Sequence, residues 1–159
     1  MLQEIYKYVP ITDTLATAGQ PTESQFADIK QAGFQVVINL ALPTSTNALP
    51  DERTVVAGQG MRYYPIPVIW EQPTLADFQQ FQAVLAEHAG QKVFVHCAMN
   101  MRVSAFVYLH RRLQGVPRAE AEPAMARIWQ PNNIWQTFID EMLEPDSVPT
   151  PSASEAAQD

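Results

Sequence analysis

The chain has 159 residues, of which 47% are hydrophobic, so it is long enough to form one domain with a buried core. Its 17 acidic and 10 basic residues give a formal net charge of −7, which argues against a general binder of nucleic acid or of anionic membranes, because phosphate groups attract a basic surface. The single cysteine excludes an internal disulfide, and no apolar run reaches the roughly 18 residues of a membrane span.

The N-terminal sequence MLQEIYKYVP lacks the apolar core of a signal peptide. We therefore expect a soluble protein that is cytoplasmic, or periplasmic if a signal has been removed. The sequence does not indicate the oligomeric state.

The first part of the chain predicts an edge strand, a helix and a buried strand. Residues 2–11 have the aromatic and branched side chains of an edge strand. Thr22 and Gln25 have the spacing of a capping box, and Gly33 stands where a C-terminal cap is expected, so we place a helix from about Glu23 to Ala32. The segment FQVVINLAL that follows is short and rich in valine and isoleucine, which indicates a central strand.

The next segment leaves the end of that strand, where open α/β folds hold their ligands. Residues 43–50 are rich in Pro, Thr, Ser and Asn and predict a loop. A short helix is expected from Asp51 to Gly58 or Gly60. The segment RYYPIPV then predicts a strand that lies near an edge or ends early, because proline cannot donate to a sheet.

Three more helical patterns lie in the second half of the chain. Thr74 is expected to cap the first, and two shorter helices are predicted around residues 118–129 and 132–143. Pro123 predicts a kink or a late start in the second helix. Residues 145–159 are rich in Pro, Ser and Ala, and we expect this tail to be disordered.

The stretch KVFVHCAMNMRVSAF organises the rest of the chain. Lys92 to His96 predicts a short buried strand, and a helical pattern begins five residues after Cys97. Cys97 therefore opens a strand-to-helix loop, which directs backbone N–H groups and the positive end of a helix at whatever lies beside the sulfur. This arrangement predicts an anion site around a nucleophile.

The alternation of strands and helices predicts the fold class. We expect a single α/β domain over residues 1–144, with a largely parallel sheet of four or five strands and helices on both faces.

The residue types in the loop fit oxyanion chemistry. Cysteine reacts as a thiolate, which helix N-termini and nearby cations stabilise. Arg102 can hold two oxygens of a phosphate with its planar fork, so we expect it to clamp the oxyanion. The remaining residues expected to bind the oxyanion, by backbone N–H or side chain, are Ala98, Met99, Asn100, Met101 and Ser104.

Individual positions in and around the loop carry more specific expectations. Asn100 is the loop residue that best tolerates a positive φ. Ser104 is placed to donate a hydrogen bond to the thiolate, and His96 to fix the loop by hydrogen bonding. Met99 and Met101 make the entrance apolar if their side chains face outward. The alternative for Cys97 is an inert core cysteine, but the joint pattern of strand, His-Cys, Arg, Ser and apolar helix favours a catalytic site.

The segment VHCAMNMRVS resembles the phosphate-binding loop of cysteine-dependent phosphatases, the superfamily of tyrosine and dual-specificity protein phosphatases. More specifically, the order of TAGQPTESQFADIKQAGFQVVINLAL, GMRYYPIPV and the His-Cys loop resembles the bacterial family of β-lactamase-hydrolase-like phosphatase domains. The resemblance covers about Ile5 to Leu143. It implies a dual-specificity-phosphatase-like fold.

The resemblance also implies a mechanism, in which Cys97 attacks phosphorus to form a phosphocysteine while Arg102 and the loop amides hold the oxygens. The superfamily usually takes its leaving-group proton from an aspartate on the preceding loop. Here that loop, VIWEQPT, has no aspartate, so Glu71 is the candidate and Asp77 the reserve. The implied substrate is a phosphorylated small molecule or a phosphoprotein, with no cofactor.

No metal is expected either. The chain's three histidines do not form a recognisable ligand spacing; they are His88, His96 and His110.

The loop departs from the superfamily pattern in length. Four residues separate Cys97 from Arg102, where the superfamily has five. Loops of this length are also similar to those of single-domain rhodaneses, whose cysteine carries a persulfide sulfur. A sulfurtransferase and a degenerate domain that only binds an oxyanion are therefore alternatives to a phosphatase.

Overall fold

Five strands form one sheet in the computed structural model, which describes residues 1–144. The strands are β1 (Val9–Thr12), β2 (Leu15–Ala18), β3 (Val36–Asn39), β4 (Arg62–Pro65) and β5 (Val93–His96). Their order across the sheet is β1-β2-β5-β3-β4, with β1 antiparallel to β2 and all other neighbouring pairs parallel. The expected single α/β domain with a largely parallel sheet is confirmed.

The strands at the centre of the sheet are covered on both faces. Alternate residues of β3 enter different cores: Val36 and Ile38 pack on one side and Val37 on the other. Every residue of the neighbouring strand β5 is also buried. A strand that is covered on both faces needs apolar side chains on both, which explains the continuous apolar run in its sequence.

Within residues 1–144, six α-helices cover the sheet. Their bounds are α1 (Gln25–Gln31), α2 (Glu52–Gly58), α3 (Leu75–Glu87), α4 (Met101–Leu113), α5 (Arg118–Ala126) and α6 (Asn133–Leu143). The larger core lies under α3, α4, α5 and α6, and the smaller one under α1 and α2. None of the helices within residues 1–144 is long and apolar enough to cross a membrane.

Several local predictions are confirmed. The capping box before α1 is made by two reciprocal bonds, from Thr22 N to Gln25 Oε1 (2.9 Å) and from Gln25 N to Thr22 Oγ1 (3.3 Å). Thr74 caps α3 by accepting a hydrogen bond from Asp77 N (3.1 Å). The strand β4 lies at the sheet edge and ends at Pro65.

Two expectations about local structure differ from the fold, and one strand was not expected. Of the edge strand predicted over residues 2–11, only the last part is a strand: β1 begins at Val9 and lies at the sheet edge, and Leu2–Glu4 form a short 3₁₀ helix. β2 was not predicted, because its sequence LATA is short and mostly small. The helix α5 begins at Arg118 and continues through Pro123, so a late start is wrong. The predicted disorder of residues 145–159 lies outside the described residues.

Candidate active site

The nucleophile candidate lies where three parallel strands end. His96, the last residue of β5, is paired with Ala18 of β2 and Asn39 of β3. Cys97 follows at once, is 1% exposed, and donates its backbone N–H to Ala18 O (3.4 Å). The loop therefore leaves the middle of the sheet at its C-terminal edge, as expected for an α/β ligand site.

Two loop carbonyls are held away from the centre of the loop. The Cys97 carbonyl accepts from His96 Nδ1 (3.2 Å), and the Ala98 carbonyl accepts from Gln20 N (3.0 Å). In a trans peptide the C=O and the following N–H point in opposite directions. The N–H groups of Ala98 and Met99 are therefore turned away from these partners.

The backbone donors from Ala98 to Arg102 have no protein acceptor within residues 1–144. The last of these lie in the first turn of α4, whose N–H groups have no intrahelical partner and carry partial positive charge. The loop and the helix together present a row of donors, as the sequence predicts for an anion cradle.

Asn100 has the positive φ that the sequence indicates. Its φ is 64° and ψ is 4°, and it precedes the first residue of α4. Its side-chain amide donates to Lys7 O (2.9 Å) and Thr17 Oγ1 (3.1 Å). The left-handed conformation is thus held by two tertiary hydrogen bonds, and the short four-residue loop closes around it.

Arg102 is a buried cation without an ion-pair partner in the described part of the chain. It is 9% exposed, and its guanidinium carbon lies 5.5 Å from the ring centre of Trp70. Its buried Nε–H has no hydrogen-bond partner among residues 1–144. A buried positive charge with an unused donor favours an anion beside it.

The hydroxyl of Ser104 is used differently from the expectation. It donates to Met101 O (3.0 Å) and accepts from Trp129 Nε1 (3.0 Å). A hydroxyl has one hydrogen, so it is not directed at the thiolate. The Ser104 side chain instead ties the first turn of α4 to the segment after α5.

Three tryptophans surround the arginine side of the site. Trp70 lies 5.3 Å from Trp129 and 5.8 Å from Trp135, measured between ring centres. Trp135 Nε1 also donates to the Trp70 carbonyl (2.9 Å). Trp70 is the member of this cluster that contacts Arg102.

The two candidate acids lie on the segment that follows Trp70. Glu71 is its exposed neighbour in the chain, and Asp77 is half-buried in the first turn of α3. Neither makes a side-chain hydrogen bond among residues 1–144. The Glu71 carboxyl therefore has no hydrogen-bond partner among residues 1–144, and it belongs to the residue next to Trp70, whose ring contacts Arg102.

The two methionines of the loop differ in exposure. Met99 is 40% exposed and Met101 is partly buried. Met99 is therefore the one that presents apolar surface at the loop, in line with the expected apolar entrance.

Behind the loop lies a buried polar group that the sequence analysis did not identify. His96 is fully buried, and its Nε2 lies 2.5 Å from Glu52 Oε2, on the first turn of α2. Gln20 Nε2 donates to the other oxygen of Glu52 (2.8 Å). Burial alone would raise the pKa of the Glu52 carboxyl, but hydrogen bonds and charge, chiefly from His96, together lower it.

Tyr63 completes this group. Its hydroxyl accepts from Asn39 Nδ2 (3.0 Å) and is influenced by the charge of Glu52. Burial, together with the charge of Glu52, raises the pKa of Tyr63 to about 12, so the phenol stays protonated.

The sequence contained one signal that could have placed Glu52 near the site. Glu52 follows the loop that leaves the C-terminal end of β3, and Cys97 lies at the same edge of the sheet.

The chain matches a family model described as a DSP-PTPase phosphatase fused to NAD+ kinase, over residues 11–136. It is 32% identical over 120 residues to a β-lactamase hydrolase-like protein of Xylella fastidiosa and, over the same length, to one of Agrobacterium fabrum. The match covers 73% of this chain but 28% of each relative, so the chain spans less than a third of their length.

Solved structures show the same fold. A putative phosphatase (DUF442) from Shewanella putrefaciens is 38% identical, with a TM-score of 0.82, covering 89% of this chain and 93% of that one. Tk-PTP in its active form, at 18% identity and a TM-score of 0.70, covers 87% of this chain and 97% of its own and shows the fold alone.

Proposed function

Because the chain belongs to the DSP-PTPase family, with the β-lactamase-hydrolase-like phosphatase domains of the cysteine-dependent phosphatase superfamily, we propose that it hydrolyses phosphate monoesters through Cys97. The substrate class is a phosphorylated small molecule or a phosphoprotein. The fold and the superfamily are established by the matches, and the activity is the proposal.

One observation carries this proposal: Arg102 is buried without an ion-pair partner among the described residues, and its Nε–H is unused, at the start of the helix that follows Cys97. A buried cation in a protein is ordinarily paired. A phosphate at this position would accept from Arg102 and from the loop N–H groups of Ala98 to Met101. These donors would also stabilise the charge on the equatorial oxygens during transfer.

The proposed reaction has two displacements. In the first, the Cys97 thiolate attacks phosphorus, the bond from phosphorus to the ester oxygen breaks, and that oxygen takes a proton from Glu71. In the second, a water molecule attacks the phosphocysteine and gives a proton to Glu71, and the phosphorus–sulfur bond breaks to release phosphate and the thiolate. Protons and electron pairs balance without a cofactor.

Glu71 is favoured as the general acid because its chain neighbour Trp70 contacts Arg102 and its own carboxyl has no partner among residues 1–144. Asp77 is the reserve. It lies in the first turn of α3, where an acid also stabilises the helix by its charge.

The four-residue loop supports a second candidate, sulfur transfer through a Cys97 persulfide. The loop has one peptide fewer than the superfamily pattern, which changes the set of N–H donors. A binding domain without turnover is the third outcome.

A single set of assays separates these functions. Wild type and Cys97→Ser are compared for hydrolysis of p-nitrophenyl phosphate and for sulfur transfer from thiosulfate to cyanide. Cys97-dependent hydrolysis is the expected result. Cys97-dependent sulfur transfer without hydrolysis would replace the phosphatase by the second candidate. Binding of phosphate, measured by calorimetry, with neither activity would identify a binding domain.

A further inference from the structure

The hydrogen bonds around His96 determine where its protons lie. Its Nδ1 faces the carbonyl of Cys97, which can only accept, so Nδ1 carries a hydrogen. Its Nε2 faces Glu52 Oε2 at 2.5 Å, a distance typical of a charge-assisted bond. One proton therefore lies between the histidine and the glutamate.

The surroundings of Glu52 assign that proton to the histidine. Gln20 Nε2 donates to Oε1 (2.8 Å). A carboxylate that accepts from Gln20 on one oxygen while the histidine faces the other is stabilised in its ionised form. The lowered pKa of Glu52 agrees with this.

No other ionisable side chain within residues 1–144 is recorded in contact with His96. β2 and β3 place Ala18 and Asn39 beside it, and α1 places the Phe26 ring across from it, with the two ring centres 6.0 Å apart. Arg53, the residue after Glu52, is directed at Tyr63: its guanidinium carbon lies 5.3 Å from the centre of that ring. Glu52 is thus the counter-charge of His96, and Cys97 is the other ionisable group next to it.

We propose that Glu52 is a positioning residue of the Cys97 site: it holds His96 as a doubly protonated imidazolium, which fixes the Cys97 carbonyl and places positive charge directly behind the nucleophile. The inference rests on the proposed function in taking Cys97 as the nucleophile. The His96–Glu52 pair is neutral as a whole, but its positive end faces the cysteine. Its effect on the thiolate is that of an oriented dipole.

The orientation of the cradle follows from the same contact. The Nδ1–H bond turns the Cys97 carbonyl inward to His96, so the N–H of Ala98 points the opposite way, towards the centre of the loop. Glu52 therefore acts on the site through His96 in two ways, by charge and by the direction of one peptide.

The first test uses the wild-type chain and needs no activity. Long-range ¹H–¹⁵N NMR of uniformly ¹⁵N-labelled protein reports the protonation of each imidazole nitrogen, and His88→Gln and His110→Gln assign the His96 signals by elimination. The expected result is two protonated nitrogens in His96 of the folded protein. A neutral ring with one protonated nitrogen would overturn the proposal.

The second test measures the thiolate directly. The rate of Cys97 alkylation by iodoacetamide is followed against pH in wild type, in Glu52→Gln and in Glu141→Gln, an exposed control on α6. Glu52→Gln is expected to slow alkylation at pH 6 by roughly threefold or more and to shift the profile to higher pH, because the positive charge behind the sulfur is lost. The control is expected to follow wild type.

The outcomes are distinguishable from a failure of the proposed function. An inactive wild type with a doubly protonated His96 and a shifted alkylation profile in Glu52→Gln keeps this inference and removes the phosphatase. A profile of Glu52→Gln equal to wild type overturns the inference, whether or not the chain hydrolyses phosphate esters. If Glu52→Gln does not fold, the wild-type NMR result alone decides.

Discussion

The guanidinium carbon of Arg102 lies 5.5 Å from the ring centre of Trp70, so the proposed oxyanion clamp is stacked on the residue before the proposed general acid. The same tryptophan is held through its carbonyl by Trp135 on α6. The position of the clamp therefore depends on aromatic packing from the C-terminal helices as well as on α4 itself.

Replacing Arg102 by lysine tests the clamp. Lysine keeps the charge but has no planar fork for two oxygens and stacks less well on an indole. We expect kcat/KM for p-nitrophenyl phosphate to fall roughly 10²- to 10³-fold, as for loss of an oxyanion donor. The control is Arg127→Lys, an exposed position after α5 that is expected to remain within twofold of wild type. Equal activities of the two variants would remove Arg102 from the cradle.

Replacing Asn100 by alanine tests how the loop is held closed. The change places alanine, which tolerates a positive φ less well than asparagine, at this position and removes two hydrogen bonds, at 2.9 and 3.1 Å. The exposed Asn47 has the same φ of 64°, so Asn47→Ala measures the backbone cost alone. We expect Asn100→Ala to lower the free energy of unfolding by about 1–2 kcal/mol more than Asn47→Ala, as measured by urea denaturation. Equal losses would show that the two side-chain bonds contribute nothing.

Replacing Gly19 by alanine tests the close approach behind the loop. A β-carbon there would lie 2.7 Å from Ala98 O and 2.8 Å from a ring carbon of Tyr6, so the loop backbone has to shift. We expect a loss of stability of about 1–3 kcal/mol and a drop in kcat larger than any change in KM. Gly58→Ala, at the end of α2 with open space around it, is the matched control, and it is expected to be neutral or to gain up to about 1 kcal/mol. The interpretation fails if Gly19→Ala retains wild-type kcat.

The general acid is tested with a substrate whose leaving group needs its proton. With an alkyl phosphate, Glu71→Gln is expected to lower kcat roughly 10²-fold or more and to abolish the limb on which the wild-type rate falls as the acid loses its proton. With p-nitrophenyl phosphate the loss is expected to be smaller, because that oxygen leaves readily. Asp77→Asn is the comparison, and a lost limb there with an intact one in Glu71→Gln would reverse the two roles.

The buried Glu52 predicts a dependence of stability on pH. Its folded-state pKa lies below the ordinary value of 4.5, so the unfolded chain binds the proton more tightly. The stabilisation is complete above that ordinary value and is lost as pH falls through the folded-state pKa. We expect the excess stability of wild type over Glu52→Gln, roughly 1–3 kcal/mol at pH 7, to shrink towards zero on acidification to about pH 3. Urea denaturation across this range measures it, and a pH-independent difference would contradict the assignment.

The sequence predicted most of the elements that carry their own local signals. The capping box at Thr22, the cap at Thr74 and the apolar run before Cys97 each act within a few residues, and the structure has all three. The left-handed conformation of Asn100 could also be predicted from the sequence, because asparagine is one of the few residue types that tolerate it.

What the sequence did not reveal depends on partners far apart in the chain. β2 is recognisable as a strand only beside β5, since four small or medium side chains carry little periodicity of their own. Glu52 and His96 are 44 positions apart. The Ser104 hydroxyl was expected to donate a hydrogen bond to the thiolate. It donates instead to the Met101 carbonyl and accepts from Trp129, which is 25 positions away.

The bond from Asn100 to the Lys7 carbonyl joins positions 93 residues apart. The four-residue loop therefore takes its shape from the N-terminal segment, which is distant in sequence, and not from the motif alone. A synthetic peptide of residues 92–106, or the same motif grafted onto another strand-to-helix junction, would lack this anchor. The loop cannot be transferred to another protein by its motif alone. A scaffold that carries it has to supply a carbonyl for Asn100 as well as the cysteine and the arginine.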